Sequence, residues 1–321
     1  MNPTAKTLAL SITFAAALAA CGGGGGTTPT TTPPAPTTPA PIATNPIVTS
    51  VPATTYAAGS DERIAYDYLN AERQKCGFGL LAQDTRLDAS AAAHVSYLLK
   101  NNVIAHTETP GLPGFSGVSP FDRAKSKGYS GASVGEDGAS AVGGLANITV
   151  LLSAPYHTLS LIAPYTDVGL SYQSISVTQQ ISTLLFLNPG YKGTTVQLPN
   201  AGTVLTYPCE GVAGMKPLFR RESINWAAIA GEGSGGAPVV VTAPNGETLV
   251  ITSASVTPVG GGVVPVVVLT ADTDPQKFLR KSDAFVIPPS TLTANTTYRV
   301  QITGTVAGVP LSKDFLFKTG T

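Results

Sequence analysis

Ser60-Asp61-Glu62-Arg63-Ile64-Ala65-Tyr66-Asp67-Tyr68-Leu69-Asn70-Ala71-Glu72-Arg73-Gln74-Lys75-Cys76-Gly77 reads as one helix with its start and stop signals attached. Ser60 can accept from a first-turn amide, and Asp61 and Glu62 complement the positive end of the helix. Ile64, Ala65, Tyr68 and Leu69 recur at helical spacing and give one apolar stripe. Gly77 tolerates the left-handed backbone that closes many helices. A second helix is predicted from about Asp84 or Asp88 to Asn102, with Leu87, Ala91, Val95 and Leu98 inward. His106-Thr107-Glu108 and a Gly/Pro-rich loop follow, then a short helix over Pro120–Gly128 with Phe121 and Ala124 inward. After Gly135-Glu136-Asp137 a further helix is expected over Ala139–Ser153, through Val142, Leu145, Ile148 and Leu152. Ala154-Pro155-Tyr156-His157 leads to a strand near Asp167–Tyr172, and Ile181–Leu187 reads as a buried central strand. Helices alternating with strands imply an α/β body over 58–192.

Upstream of that body, Lys6 precedes an apolar run, Leu8–Ala20, too short to span a bilayer comfortably and of signal-peptide size. Residues 1–20 are therefore expected to be cleaved. Leu18-Ala19-Ala20-Cys21 resembles a bacterial lipobox, which marks Cys21 for acylation. Residues 21–57 are rich in Gly, Thr and Pro and have little to bury, so they suit an extended tether between anchor and body. The expected location is the cell envelope, lipid-anchored, with Gly22 leaning towards the outer membrane.

Downstream, helical periodicity vanishes and residues 200–321 read as a β-sandwich. Val239–Thr242 and Thr248–Ser253 flank Pro244-Asn245-Gly246, a hairpin signal. Val264–Leu269 is a further strand; Tyr298, Val300 and Ile302 share one strand face, and Phe315 and Phe317 another. Tyr298 at a strand entry resembles a tyrosine corner, and the stretch resembles an immunoglobulin-like domain.

Composition narrows the function. Nineteen basic residues balance nineteen acidic ones, so no basic field exists to attract nucleic acid. Of three cysteines, Cys21 is assigned to the lipid. Cys76 and Cys209 remain in an oxidising compartment, where a disulfide between them is expected and two buried thiols are the alternative.

Six motifs occur in the order found in the CAP superfamily, also called SCP domains. They are Leu69-Asn70-Ala71-Glu72-Arg73 with Gly79-Leu80; Ala93-His94; His106; Asp122-Arg123 with Gly128-Tyr129; Gly135-Glu136-Asp137; and Ser153, His157, Leu159, Leu161, Pro164 with Val168-Gly169. The resemblance covers about residues 60–190. It implies an α-β-α sandwich with a cleft in which two histidines, here His106 and His157, can hold zinc beside Glu136. The family's second glutamate has no counterpart between Asp137 and His157; Glu108, two residues after His106, could reach the cleft, though no motif places it there. His94, in line with Leu87, Ala91 and Leu98, is expected to be a packed core histidine.

No catalytic residue is assigned. Gly131-Ala132-Ser133-Val134-Gly135 spells a nucleophile elbow but lacks the strand-to-helix context. Gly231–Gly236 spells a dinucleotide pattern but leads into a strand, so no helix N-terminus faces a phosphate. Trp226 is expected to pack between domains. The expected role is an envelope binding module for a small ligand, lipid or protein partner; a zinc-dependent hydrolase is the alternative.

Overall fold

The computed structural model describes residues 44–45, 47–174, 183–192, 196–219 and 235–321. The expected signal peptide, Cys21, most of the tether and Trp226 lie outside these residues. The first part of the chain holds β1 (Thr44–Asn45), α1 (Asp61–Lys75), β2 (Ala82–Gln83), α2 (Thr85–Asn101), α3 (Pro120–Ser126), β3 (Gly131–Val134), β4 (Asp137–Ala139), α4 (Gly144–Leu151), α5 (Pro155–Leu161), β5 (Asp167–Ser174), β6 (Thr183–Lys192) and β7 (Val196–Gln197).

Local signals explain most of these boundaries. Ser60 Oγ accepts from Arg63 N at the start of α1, and Asp84 does so from Arg86 N at the start of α2. Ser119 and Asp122 close a reciprocal capping box at α3. Asn102 ends α2 in the left-handed region, φ 50°. The helix expected over Ala139–Ser153 is shorter than predicted. Ala139 belongs to β4, and α4 begins only at Gly144. Gly143 stands at φ 89°, and Asn147 ties this turn by donating to the carbonyls of Ala141 and Gly143. In place of a side-chain cap, Asp61 Oδ1 from α1 accepts from Gly144 N at 2.7 Å.

β6 is the spine of a five-stranded sheet of order β2-β5-β6-β3, with β4 also paired to β6. β5 and β6 run antiparallel from Asp167↔Gly190 to Ser174↔Thr183. Alternation sends successive side chains of β6 to opposite faces. Leu185 and Leu187 join the core that holds Leu69, Ile148, Leu151 and Leu161 of α1, α4 and α5. Leu184 and Phe186 pack with Ala91, Val95 and Leu98 of α2. The result is three layers, with α2 and α3 on one face and α1, α4 and α5 on the other. α2 approaches β5 so closely that a Cβ on Gly169 would lie 2.1 Å from Asp88 N.

The second part holds β8 (Leu205–Tyr207), β9 (Val212–Met215), β10 (Leu218–Phe219), β11 (Gly235–Gly236), β12 (Val239–Thr242), β13 (Leu249–Pro258), β14 (Val267–Thr270), β15 (Asp283–Ile287), β16 (Thr297–Val306) and β17 (Val309–Thr319). Eight of them form two four-stranded sheets, β14-β15-β12-β8 and β13-β16-β17-β9. Val239, Val241 and Phe285 from the first share one core with Val300, Ile302 and Phe317 from the second. The hairpin expected at Pro244-Asn245-Gly246 is not formed. Both edges of β12 are taken by β15 and β8, so the chain changes sheet there and β13 pairs with β16. Tyr298 enters β16 with its hydroxyl accepting from Thr293 N at 2.8 Å.

The two parts are joined at several points. Cys76 and Cys209 form the expected disulfide, with Cα atoms 5.4 Å apart. Tyr207 donates to Glu72 at 3.1 Å, and Tyr156 of α5 donates to Asp274. Among the described residues no helix is long and apolar enough to cross a membrane.

Candidate functional site

Glu136 stands between β3 and β4 and turns to the α2 side of the sheet. Its side chain is only 1% exposed. Burial alone would raise its pKa, since a carboxylate is poorly solvated there. His106, His94 and Arg123 outweigh that effect, and the carboxyl is held below its ordinary value. Arg123 Nη2 donates to Oε2 at 2.5 Å, and Asn188 Nδ2 donates to the same oxygen at 3.2 Å. His106 Nδ1 donates to Oε1 at 3.0 Å. The imidazole of His106 is itself 57% exposed. The surface thus carries one ring whose orientation is set by a sealed carboxylate.

Behind it lies a fully buried group. His94 Nδ1 is 2.9 Å from Glu108 Oε1, and Nε2 is 2.9 Å from the carbonyl of Ala105 and 3.5 Å from Glu136 Oε1. Every one of these oxygens is an acceptor, whereas a neutral imidazole carries a single N–H. Both ring nitrogens of His94 thus face oxygen partners. Two imidazoles and one guanidinium meet the two carboxylates, the pairing that buried polar groups require. Glu108 is held further by Ser116, whose N and Oγ both donate to it, at 2.5 Å and 3.0 Å. Phe186 closes the group edge-on against His94, ring centroids 5.1 Å apart. Among the described residues, Arg123 Nε and Asn188 Oδ1 are buried here with no hydrogen-bond partner.

His157 is placed elsewhere. Its Nδ1 donates to Asp137 Oδ1 at 2.7 Å, and Ser160 donates to Oδ2 of the same carboxylate at 2.8 Å. Asp137 pairs in register with Leu187, which faces α1 and α4. Glu136 meets Asn188 and the α2 groups on the other face. The expected convergence of His106 and His157 on one metal beside Glu136 is thereby corrected, because adjacent positions 136 and 137 turn their carboxylates to opposite sides of the sheet. The histidine pair does not fit a shared zinc. Among the described residues no three His, Cys, Asp or Glu side chains are grouped to hold a metal ion.

The structure brings together His106, Glu136 and Glu108, all singled out in the sequence, and leaves out His157. His94 is buried as expected, yet its partners are the site's own carboxylates. Sequence reasoning missed Arg123 and Asn188 as members, although Asp122-Arg123 had been noted as a motif. It also missed Asp137 as the carboxylate that serves His157. Ser133 lies on β3, antiparallel to β6 and followed by β4, which is no nucleophile elbow. Of the Gly231–Gly236 run, only Gly235 and Gly236 are described, and they form the short strand β11.

No protein-family profile matches the chain, and no curated protein does. Among solved structures, an extracellular protein containing a SCP domain from Bacillus anthracis is 21% identical, with a TM-score of 0.35. That match covers 41% of this chain and 40% of the Bacillus chain. An outer surface protein from Borrelia burgdorferi is 20% identical with a TM-score of 0.36, over 43% of this chain and 97% of its own.

Proposed function

We propose that the chain is an exported, lipid-anchored CAP-type protein of the bacterial cell envelope. It serves as a binding module for a small ligand, lipid or envelope protein, and its second part, 200–321, is an immunoglobulin-like accessory domain. The observation that carries the reading is the exposed imidazole of His106 hydrogen-bonded to a buried Glu136–Arg123 pair. Such a ring is held in one orientation before anything binds, which lowers the entropic cost of recognition. The order of the six sequence motifs and the three-layer body support the kinship. The lipobox-like run to Cys21 and the tether support the anchoring.

The hydrolase alternative needs both imidazoles on one zinc, and each has its own carboxylate on its own side of the sheet. Zinc titrated into the full chain is expected to give no one-to-one site that depends on both residues. Tight binding lost in His106→Ala and equally in His157→Ala would reinstate the metal reading. For the anchor, Cys21→Ala is expected to move the protein from the membrane fraction to the soluble one. Retention in membranes at the level of the unaltered chain would remove that part of the proposal.

A further inference from the structure

Arg73 belongs to none of the groups above. It is 1% exposed on α1. Nε donates to the Gly79 carbonyl at 2.7 Å, and Nη1 donates to Leu161 at 2.5 Å and Ala163 at 3.1 Å. No carboxylate offsets its burial, which draws the guanidinium down to about 9 and leaves it charged at neutral pH. Nη2 makes no hydrogen bond to a described residue, and it is not among the atoms sealed from solvent without a partner.

Arg73 lines a hollow of about 30 Å³. Phe78, Leu159, Ile162 and Leu205 supply apolar wall, Arg280 a second cation, and no Asp or Glu lines it. Arg280 spends Nε and Nη2 on Asp283, at 2.7 and 3.1 Å, which leaves its Nη1. A water centre needs roughly 10–15 Å³, so the space has room for one small ion. A largely buried cation with no carboxylate beside it attracts an anion more strongly than one in bulk water.

We propose that this hollow binds a small monovalent anion, a halide or the carboxylate end of a small acid, against Nη2 of Arg73. Its walls come from α5 and from the Thr242–Asn245 stretch after β12. The anion therefore links the two parts of the chain and couples their stability to the salt of the medium.

Thermal unfolding of the full chain tests this, at constant ionic strength, as a bulky sulfonate is replaced by chloride, bromide or formate. The midpoint is expected to rise with small-anion concentration, as for any ligand of the folded state alone. Arg73→Lys should shift the apparent affinity about tenfold, the loss of roughly one charged hydrogen bond. Ala243→Leu narrows the hollow at a residue that makes no hydrogen bond to Arg73 and should abolish the rise, which decides the matter if Arg73→Lys does not fold. A response to formate alone marks a carboxylate site and one to halides alone an ion site, and either supports the proposal. Equal midpoints in all salts, or an Ala243→Leu response equal to that of the unaltered chain, would overturn it.

Discussion

Replacing both Cys76 and Cys209 by Ser is expected to lower the unfolding free energy by about 5 kcal/mol, from the entropy of a closed loop of this length. The bond spans a sequence separation of 133 residues and ties the end of α1 to the start of the second part. Without it, the unfolded chain regains the conformations that the loop had forbidden. The folded chain keeps the Tyr207–Glu72 and Tyr156–Asp274 bonds and the common core. The loss should therefore appear in stability and leave the fold in place. Urea titration followed by circular dichroism measures it. The slope should also rise, since an unlooped denatured chain exposes more surface. Matching midpoints for the oxidised chain and the double variant would refute the expectation.

Arg123→Met should cost about 3–5 kcal/mol, because removing one member of a buried ionic group strands its partners. Arg123 is fully buried and carries Glu136 at 2.5 Å, with Glu108 3.8 Å from Nε. The Met variant leaves the two carboxylates without their guanidinium, held by the imidazoles of His94 and His106. Adding Glu136→Gln removes one of those charges and should recover part of the loss, so the double-variant cycle reads a coupling rather than a packing defect. The pH profile gives a second readout. Glu136 is held below its ordinary value in the folded chain. Its contribution is therefore complete above the usual carboxylate range and disappears as pH falls towards the folded value. In Arg123→Met that depression shrinks, and the acid-side loss of stability should flatten. An Arg123→Met profile parallel to that of the unaltered chain would show that the guanidinium does not support the carboxylate.

Much of the first part was legible because its signals are local. Ser60, Asp84 and the Ser119/Asp122 box announce their helices, and the apolar periods of α1 and α2 run unbroken. Ala139-Ser140-Ala141 carries no such period, so nothing in it separated strand from helix until β6 claimed Ala139. The Asn-Gly signal after β12 failed for a different reason. A turn preference is local, whereas the partner of a strand depends on which edges other strands have filled. The site shows the same division. The order of motifs brought His106 to Glu136, but Arg123 carried no mark of its burial. Glu136 and Asp137 read as one acidic spot when taken as letters. Recognised as the entry to a strand, they would have been assigned to opposite faces.

That alternation has a consequence for any molecule the protein meets. Each imidazole–carboxylate couple answers to its own surroundings, His106 beside α2 and α3, His157 within α5. A sheet one strand thick stands between them, so a guest at one door need not displace a guest at the other, and substitutions at the two should add without interference. The two couples stand back to back, where a shared cleft would have held both on one side.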